Sequence, residues 1–221
     1  MKDGYTLAFV IFPYIALTTF VVGHLYRYMT DAYRWNARSS ELLAKESLRA
    51  GSWLFHWGMI LVLIGHSGGL LIPQSVYDAV GISDTGHMRI AYLSGMLIGF
   101  ITLAGVVLLI FRRLLSVRLL AVTSLNDWVT LALLFLVITI GTYAVFGHYN
   151  VLYSVAPWIR SIVALHPNPE LMRSVPLVYK IHILAAFALF GFSPFSRLVH
   201  IWSVPVTYPL RSYIVFRKRQ A

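Results

Sequence analysis

The sequence contains no cysteine and few charged residues. Without cysteine it forms no disulfide, offers no thiolate to zinc or to an iron–sulfur cluster, and attaches no haem covalently through a CxxCH motif. Charged residues make up 12% of the 221 positions, about half the share of an average soluble domain, whereas 58% are apolar. This composition excludes a disordered chain and an ordinary soluble domain, and it predicts an all-α integral membrane protein.

Five apolar stretches are long enough to cross the hydrocarbon core of a bilayer, which takes about 20 helical residues. The predicted spans of this single domain, residues 1–221, are residues 5–25, 53–72, 90–111, 128–146 and 178–204. The first stretch is longer than the apolar core of a signal peptide, and no A-x-A cleavage site follows it. We therefore expect it to be retained as a span.

Positive charge is distributed unevenly over the predicted loops. Twelve lysines and arginines follow the first, third and fifth spans, whereas the N-terminus and the opposite loops contain four. Because cytoplasmic loops are enriched in these residues, we expect the N-terminus outside and the C-terminus in the cytoplasm. The formal net charge of +10 then indicates contact with lipid headgroups rather than with nucleic acid.

Two connecting segments are long enough to have structure of their own. The segment from Arg27 to Arg49 mixes basic residues with leucines and is typical of an amphipathic surface helix. The loop from Gly147 to Pro176 contains three prolines, which predict an irregular cap over the outer face.

Four histidines lie within the second and fifth predicted spans, where ionisable side chains are costly and often functional. They are His56, His66, His182 and His200. No carboxylate inside a predicted span competes with them as a ligand, and neutral imidazole suits a transition metal. In a membrane bundle this set favours haem iron. The alternative is that the histidines only form hydrogen bonds between helices.

The order along the chain predicts which histidines meet. Since the second and fifth spans run in opposite directions, His66 and His182 lie at the outer ends, and His56 and His200 lie at the inner ends. We refer to these as the His66 pair and the His56 pair. Each pair would hold one of two stacked haems, and glycines such as Gly65 leave room for the flat macrocycle.

The spacing within the two spans does not match. The ligands of the second span are ten residues apart, or about 15 Å along a helix, and those of the fifth are eighteen apart, or about 27 Å. Ser193-Pro194 lies between the latter two and breaks the helical hydrogen-bond ladder. A bend or unwound turn there, or oblique packing, would absorb the difference.

Three further residues are candidates for binding the haem propionates. Arg197 lies three residues before His200 on nearly the same helical face, and arginine binds carboxylates through two parallel hydrogen bonds. Arg112 ends the third predicted span at the depth of the inner pair, and Tyr28 is placed to donate a hydrogen bond. The alternatives are a stop-transfer signal for Arg112 and an ordinary interfacial aromatic for Tyr28.

Several motifs are shared with one known family. The most specific is the run PFSRLVHIWSVP at residues 194–205; others are Phe55-His56 with Gly65-His66, Arg27-Tyr28, and Arg34-Trp35 with Ser39-Ser40. With them the sequence resembles, over nearly its whole length, the gamma subunit of the membrane-bound respiratory nitrate reductase, a di-haem cytochrome b.

The resemblance implies that the protein oxidises quinol near the outer leaflet and releases protons outside. Electrons would pass through two b haems to an iron–sulfur subunit and then to a molybdenum subunit that reduces nitrate. The His66 pair would hold the outer haem and the His56 pair the inner one. The resemblance also implies a multi-pass protein of a bacterial or archaeal cell membrane.

A quinol site is expected beside the outer haem, close to the start of the third span. The family has lysines in the loop after the second span, where this sequence has Gly86-His87-Met88-Arg89. Histidine accepts a proton near neutral pH, so His87 is a candidate partner for the quinol hydroxyl. Gly65 would let the quinol ring approach the haem edge. An ordinary exposed loop histidine is the alternative for His87.

Two other functions stay open at this point. The protein could be the cytochrome b subunit of a related quinone-linked reductase, such as the sulfite-reduction-linked type. It could also be a transporter that uses histidines as a proton relay, although the predicted spans lack the acidic residues of such a path and Asp127 lies at an interface. A b-type absorption spectrum would exclude the transporter.

Overall fold

The computed structural model of the protein describes residues 2–30 and 45–202, and the regular elements in these ranges are all helical. Five of the described helices are long and apolar enough to cross a membrane. We number them spans one to five; they are Gly4–Thr30, Arg49–Leu71, Asp84–Leu115, Leu125–Val145 and Leu177–Phe195. The expected all-α fold with five spans is confirmed. Most of the predicted amphipathic helix (residues 31–44) and the C-terminal tail (residues 203–221) lie outside the described residues.

Spans three and four begin at side-chain caps. The Ser83 hydroxyl accepts a hydrogen bond from the Gly86 amide, so the helix of span three starts at Asp84, six residues earlier than predicted. His87 therefore lies in the first turns of this helix, and its prediction as a loop residue is wrong. At the start of span four, Ser124 and Asp127 form a reciprocal capping box.

Spans one and two each contain a π-helical segment near one end. Span one includes most of the short helix Lys2–Thr6, the π-helix Leu7–Ile11 and the α-helix Phe12–Thr30. In span two, the π-helix Ser67–Leu71 follows the α-helix Lys45–His66. Wider π turns change the regular backbone pairing and are frequent at functional sites. Both segments lie at the same end of the bundle.

A short helix covers that end. Val155–Val163 lies in the loop for which only an irregular cap was expected, and the 3₁₀ turn Pro169–Met172 follows it. Trp158 donates a hydrogen bond from Nε1 to the Phe9 carbonyl at 3.0 Å, and Arg160 donates one from Nη1 to the Leu70 carbonyl at 3.1 Å. Both acceptors belong to the π-helical segments, so this helix fixes the ends of spans one and two. Two further short helices are Gln74–Ala79 and Val117–Ala121.

The spans pack in the order two, three, four, five, one. Spans two and three approach most closely where Gly105 faces the backbone of Phe55; a Cβ at Gly105 would lie 2.7 Å from the Phe55 Cα atom. A core of Phe55, Val106 and Leu134 with their neighbours joins spans two, three and four. Within the described residues, spans two and five have little direct contact with each other. They face each other across the two histidine pairs.

The α-helix of span five ends at Phe192, well before the predicted end of the span. A 3₁₀ turn at Ser193–Phe195 follows, Ser196 is extended with φ −114° and ψ 179°, and a second 3₁₀ turn covers Arg197–Ile201. The helix is thus interrupted between the two ligands of span five, as predicted at Ser193-Pro194, by a 3₁₀ turn and the extended Ser196.

Candidate metal-binding site

The four intramembrane histidines form two facing pairs. The ring centroids of His56 and His200 are 5.9 Å apart, and those of His66 and His182 are 6.1 Å apart. Two imidazoles that bind one metal ion from opposite sides, each through a metal–nitrogen bond of about 2 Å, have their ring centroids about 6 Å apart. Both pairs have a ring separation that fits one metal ion held between two imidazoles.

All four rings have the same hydrogen-bond pattern. In each, Nδ1 lies near a backbone carbonyl: Ser52 at 2.7 Å for His56, Val62 at 2.8 Å for His66, Val137 at 3.0 Å for His182 and Arg197 at 2.7 Å for His200. Since a carbonyl oxygen only accepts hydrogen bonds, Nδ1 holds the proton in every ring. Nε2 is then the nitrogen with a lone pair available to a metal, as is usual for histidine ligands.

Span four positions His182. The Val137 carbonyl holds its Nδ1 atom, and a Cβ at Gly141 would lie 2.6 Å from its Cε1 atom. Only glycine at position 141 leaves space for the ring. The role of Gly141 was not predicted from the sequence; the signal available was a single glycine between Ile140 and Thr142.

His200 lies on the second 3₁₀ turn rather than on the α-helix of span five. Neighbouring spans hold the backbone that leads to it, since Arg27 donates a hydrogen bond to the Pro194 carbonyl at 2.7 Å and Asn126 donates one to the Phe195 carbonyl at 2.8 Å. Within the segment, the Ser196 hydroxyl accepts a hydrogen bond from the Leu198 amide. Side chains of spans one and four therefore replace the missing helical hydrogen bonds.

The predicted propionate ligands have different surroundings. Arg197 donates from Nε and Nη2 to the carboxylate of Asp127, the second bond being 3.0 Å long. Asp127 lies in the first turn of span four and is only 4% exposed. Arg112 is buried in span three, and Tyr28 is exposed near the end of span one. The roles of Arg197, Arg112 and Tyr28 towards propionates stay predictions.

His87 is buried beside the π-helical segment that follows His66. Its side chain is 6% exposed, and a Cβ at Gly69 would lie 3.8 Å from its Nε2 atom. Gln74 donates from Nε2 to Asp78 and to the Ile82 carbonyl, so its Oε1 faces His87 Nδ1 at 2.8 Å and accepts the ring proton. His87 is thus held with Nε2 as the acceptor nitrogen.

Gly65 lies next to the His66 pair in an open environment. A Cβ added to Gly65 would meet nothing within 4 Å, unlike one at Gly141. Gly65 directly precedes His66, and His87 lies beside the π-helical segment that follows His66. Both residues are thus at the same end of the bundle as the His66 pair. Their expected contact with quinol stays a prediction.

Each histidine pair offers two protein ligands. Across residues 2–30 and 45–202, no group of three or more histidine, aspartate or glutamate side chains gathers as a metal site would require. A metal between two such histidines would need further ligands from another molecule, which haem would supply. The donor set therefore fits haem iron.

Comparison with known proteins identifies one family. Residues 5–219 match the model of the nitrate reductase gamma subunit family. The chain is 44% identical over 214 residues to the nitrate reductase gamma chain of Bacillus subtilis, covering 95% of this chain and 96% of the relative. It is 34% identical over 217 residues to the respiratory nitrate reductase 1 gamma chain of Escherichia coli, covering 96% of each. It is also 40% identical over 221 residues to the nitrate reductase-like protein NarX of Mycobacterium tuberculosis, covering 97% of this chain but 34% of that protein.

Proposed function

The chain belongs to the nitrate reductase gamma subunit family, and we propose that it binds two b haems and transfers electrons from quinol towards nitrate. The two histidine pairs support this proposal best. In each pair the ring centroids are about 6 Å apart, and Nδ1 of every ring donates to a backbone carbonyl. When bound, haem supplies one-electron redox chemistry at each pair. The residues of the chain hold the two imidazoles in place, with Nδ1 donating to a carbonyl and Nε2 as the nitrogen that would bind the metal.

The proposed orientation puts the His66 pair near the outer face. The count of basic residues favours the N-terminus outside, and the first residues of span one lie at the same end as the His66 pair. Quinol oxidised at this end releases its protons outside. Electrons then leave from the His56 pair on the cytoplasmic side.

His87 is proposed to accept a proton from a quinol hydroxyl. Gln74 holds the Nδ1 proton of His87, so Nε2 is the nitrogen that faces a donor. A neutral imidazole can take a proton at Nε2 and pass it on, which suits this role. Gly65 is proposed to admit the quinol ring beside the His66 pair, since no side chain lies where its Cβ would be.

On the cytoplasmic side, the proposed acceptor is an iron–sulfur subunit, which passes electrons to a molybdenum subunit that reduces nitrate. Membership in the gamma subunit family supports such partners, because a gamma subunit works with other subunits of its reductase. A related quinone-linked reductase, such as one for sulfite, is the alternative for the terminal step. The subunits that co-purify with the chain distinguish the two.

Quinol-dependent haem reduction tests the proposal. In the assembled complex, we expect His87→Ala to slow haem reduction by quinol about 100-fold, because the general base is lost, while both haems stay bound. The control is His166→Ala, which removes an exposed loop histidine after the helix that covers the same end. A wild-type rate in His87→Ala would remove His87 from the proposed site.

A further inference from the structure

His200 needs support from outside its own helix. The α-helix of span five ends at Phe192, and an extended residue, Ser196, separates the last turns from each other. The position of the His200 ring therefore depends on what holds the 3₁₀ turn Arg197–Ile201. Its first residue, Arg197, forms an ion pair with Asp127 at the start of span four.

A continuous set of hydrogen bonds leads from span four to the His200 ring. The Asp127 carboxylate accepts two hydrogen bonds from the guanidinium of Arg197. The backbone carbonyl of the same arginine accepts the Nδ1 proton of His200 at 2.7 Å. Fixing the Arg197 residue therefore fixes the acceptor that orients the imidazole.

Asp127 is itself rigidly held. Its Oδ2 accepts a hydrogen bond from the Ser124 amide at 3.0 Å, and its own amide donates to the Ser124 hydroxyl at 3.3 Å. A second guanidinium, that of Arg113, lies 3.7 Å from Oδ2. The carboxylate is thus buried between two arginines, and its removal would leave their positive charge uncompensated.

We propose that Asp127 is a positioning residue for the metal-binding imidazole of His200, and that it acts through the side chain and carbonyl of Arg197. This inference depends on the proposed binding of haem by the His56 pair. It assigns to the start of span four a role beyond capping a helix. Of the two haems, only the one at the His56 pair should respond to Asp127.

The variant Asp127→Asn separates this role from capping. Asparagine keeps the size of the side chain and one oxygen for the Ser124 amide, but it loses the charge and the paired contact with Arg197. The matched control is Glu170→Gln, which removes the carboxylate of an exposed ion pair with Arg173 outside the spans. Both variants are made in the full chain within its complex.

The readouts are the low-spin ferric haem signals in electron paramagnetic resonance and the midpoint potentials of the two haems. The signals are first assigned with His66→Ala and His200→Ala, each of which is expected to retain one haem. In Asp127→Asn, we expect a changed signal and a changed potential for the haem of the His56 pair, because the imidazole of His200 loses the support that fixes its orientation. The other haem, and both haems in Glu170→Gln, should be unchanged.

A second variant allows the same test if the Asp127→Asn protein does not fold in sufficient amounts. Arg197→Lys retains the charge but replaces a two-pronged contact by a single one, so a smaller change in the same haem is expected. Unchanged signals and potentials in the variants that accumulate, or equal changes in both haems, would overturn the inference. Absence of haem from the wild-type complex would instead overturn the proposed function on which it rests.

Discussion

An alanine at position 141 tests how span four positions His182. The added Cβ would lie 2.6 Å from Cε1 and 3.0 Å from Nδ1 of the ring. Carbon atoms in contact lie about 3.5–4.0 Å apart, so the ring has to move by about 1 Å. It then cannot keep both its hydrogen bond to Val137 and its place opposite His66. Strain of this kind costs about 1–3 kcal/mol, which corresponds to roughly 5- to 150-fold weaker haem binding.

The assay is the rate at which purified Gly141→Ala loses haem to an excess of a haem-scavenging protein. We expect one haem per chain, that of the His66 pair, to leave faster than in the wild type, and the other to leave at the wild-type rate. The control is Gly95→Ala, whose Cβ would meet Val145 at 3.6 Å, an ordinary contact. Equal rates in Gly141→Ala, Gly95→Ala and the wild type would refute this explanation of how His182 is held.

Three further outcomes are expected. Replacing one histidine of either pair by alanine should remove one haem per chain, because bis-imidazole ligation fails when an axial ligand is lost; a full complement of two haems would contradict the ligand assignment. Gly105→Ala should force spans two and three apart at Phe55 and lower the free energy of unfolding in detergent by about 1–3 kcal/mol, whereas Gly95→Ala should not. Truncation after Tyr208 removes the basic end of the tail and should weaken membrane attachment of the soluble subunits; unchanged attachment would favour a role in binding anionic lipid.

The pairing of the histidines could be predicted from the sequence for a simple reason. Two apolar spans that run in opposite directions place residues at matching depths, so His56 meets His200 and His66 meets His182. The proline at position 194 also indicated where the longer spacing would be absorbed, because proline removes a helical hydrogen bond. Both inferences need only helix geometry and chain order.

The polar turns at the ends of spans were harder to predict. A span predicted from hydropathy begins where the apolar run begins, so Asp84 and His87 were not included in span three. The Ser83 cap extends the helix through both residues. The π-helical segment after His66 likewise has no signal in the apolar pattern, and its contact with the Arg160 side chain, which donates to the Leu70 carbonyl, comes from a distant helix.

Contacts between side chains of different spans were beyond the sequence. The regular geometry of a helix does not show which face of span four meets His182. Gly141 could therefore not be distinguished from other small residues of that span. Arg197 was predicted to bind a propionate from its position three residues before His200 and from the affinity of arginine for carboxylates. Its contact with Asp127 depends on the unwound end of span five, which brings the second 3₁₀ turn to the start of span four.

The haem content of the purified wild-type chain in its complex tests the central claim most directly. Haem is quantified as the pyridine haemochrome against protein measured by amino-acid analysis, and the same sample is titrated to obtain its redox steps. Two b haems per chain, titrating in two one-electron steps, with one haem remaining in His66→Ala, are the expected result. A wild-type chain with no haem or one haem, or a His66→Ala chain that still binds two, would contradict the assignment of the two histidine pairs as haem ligands.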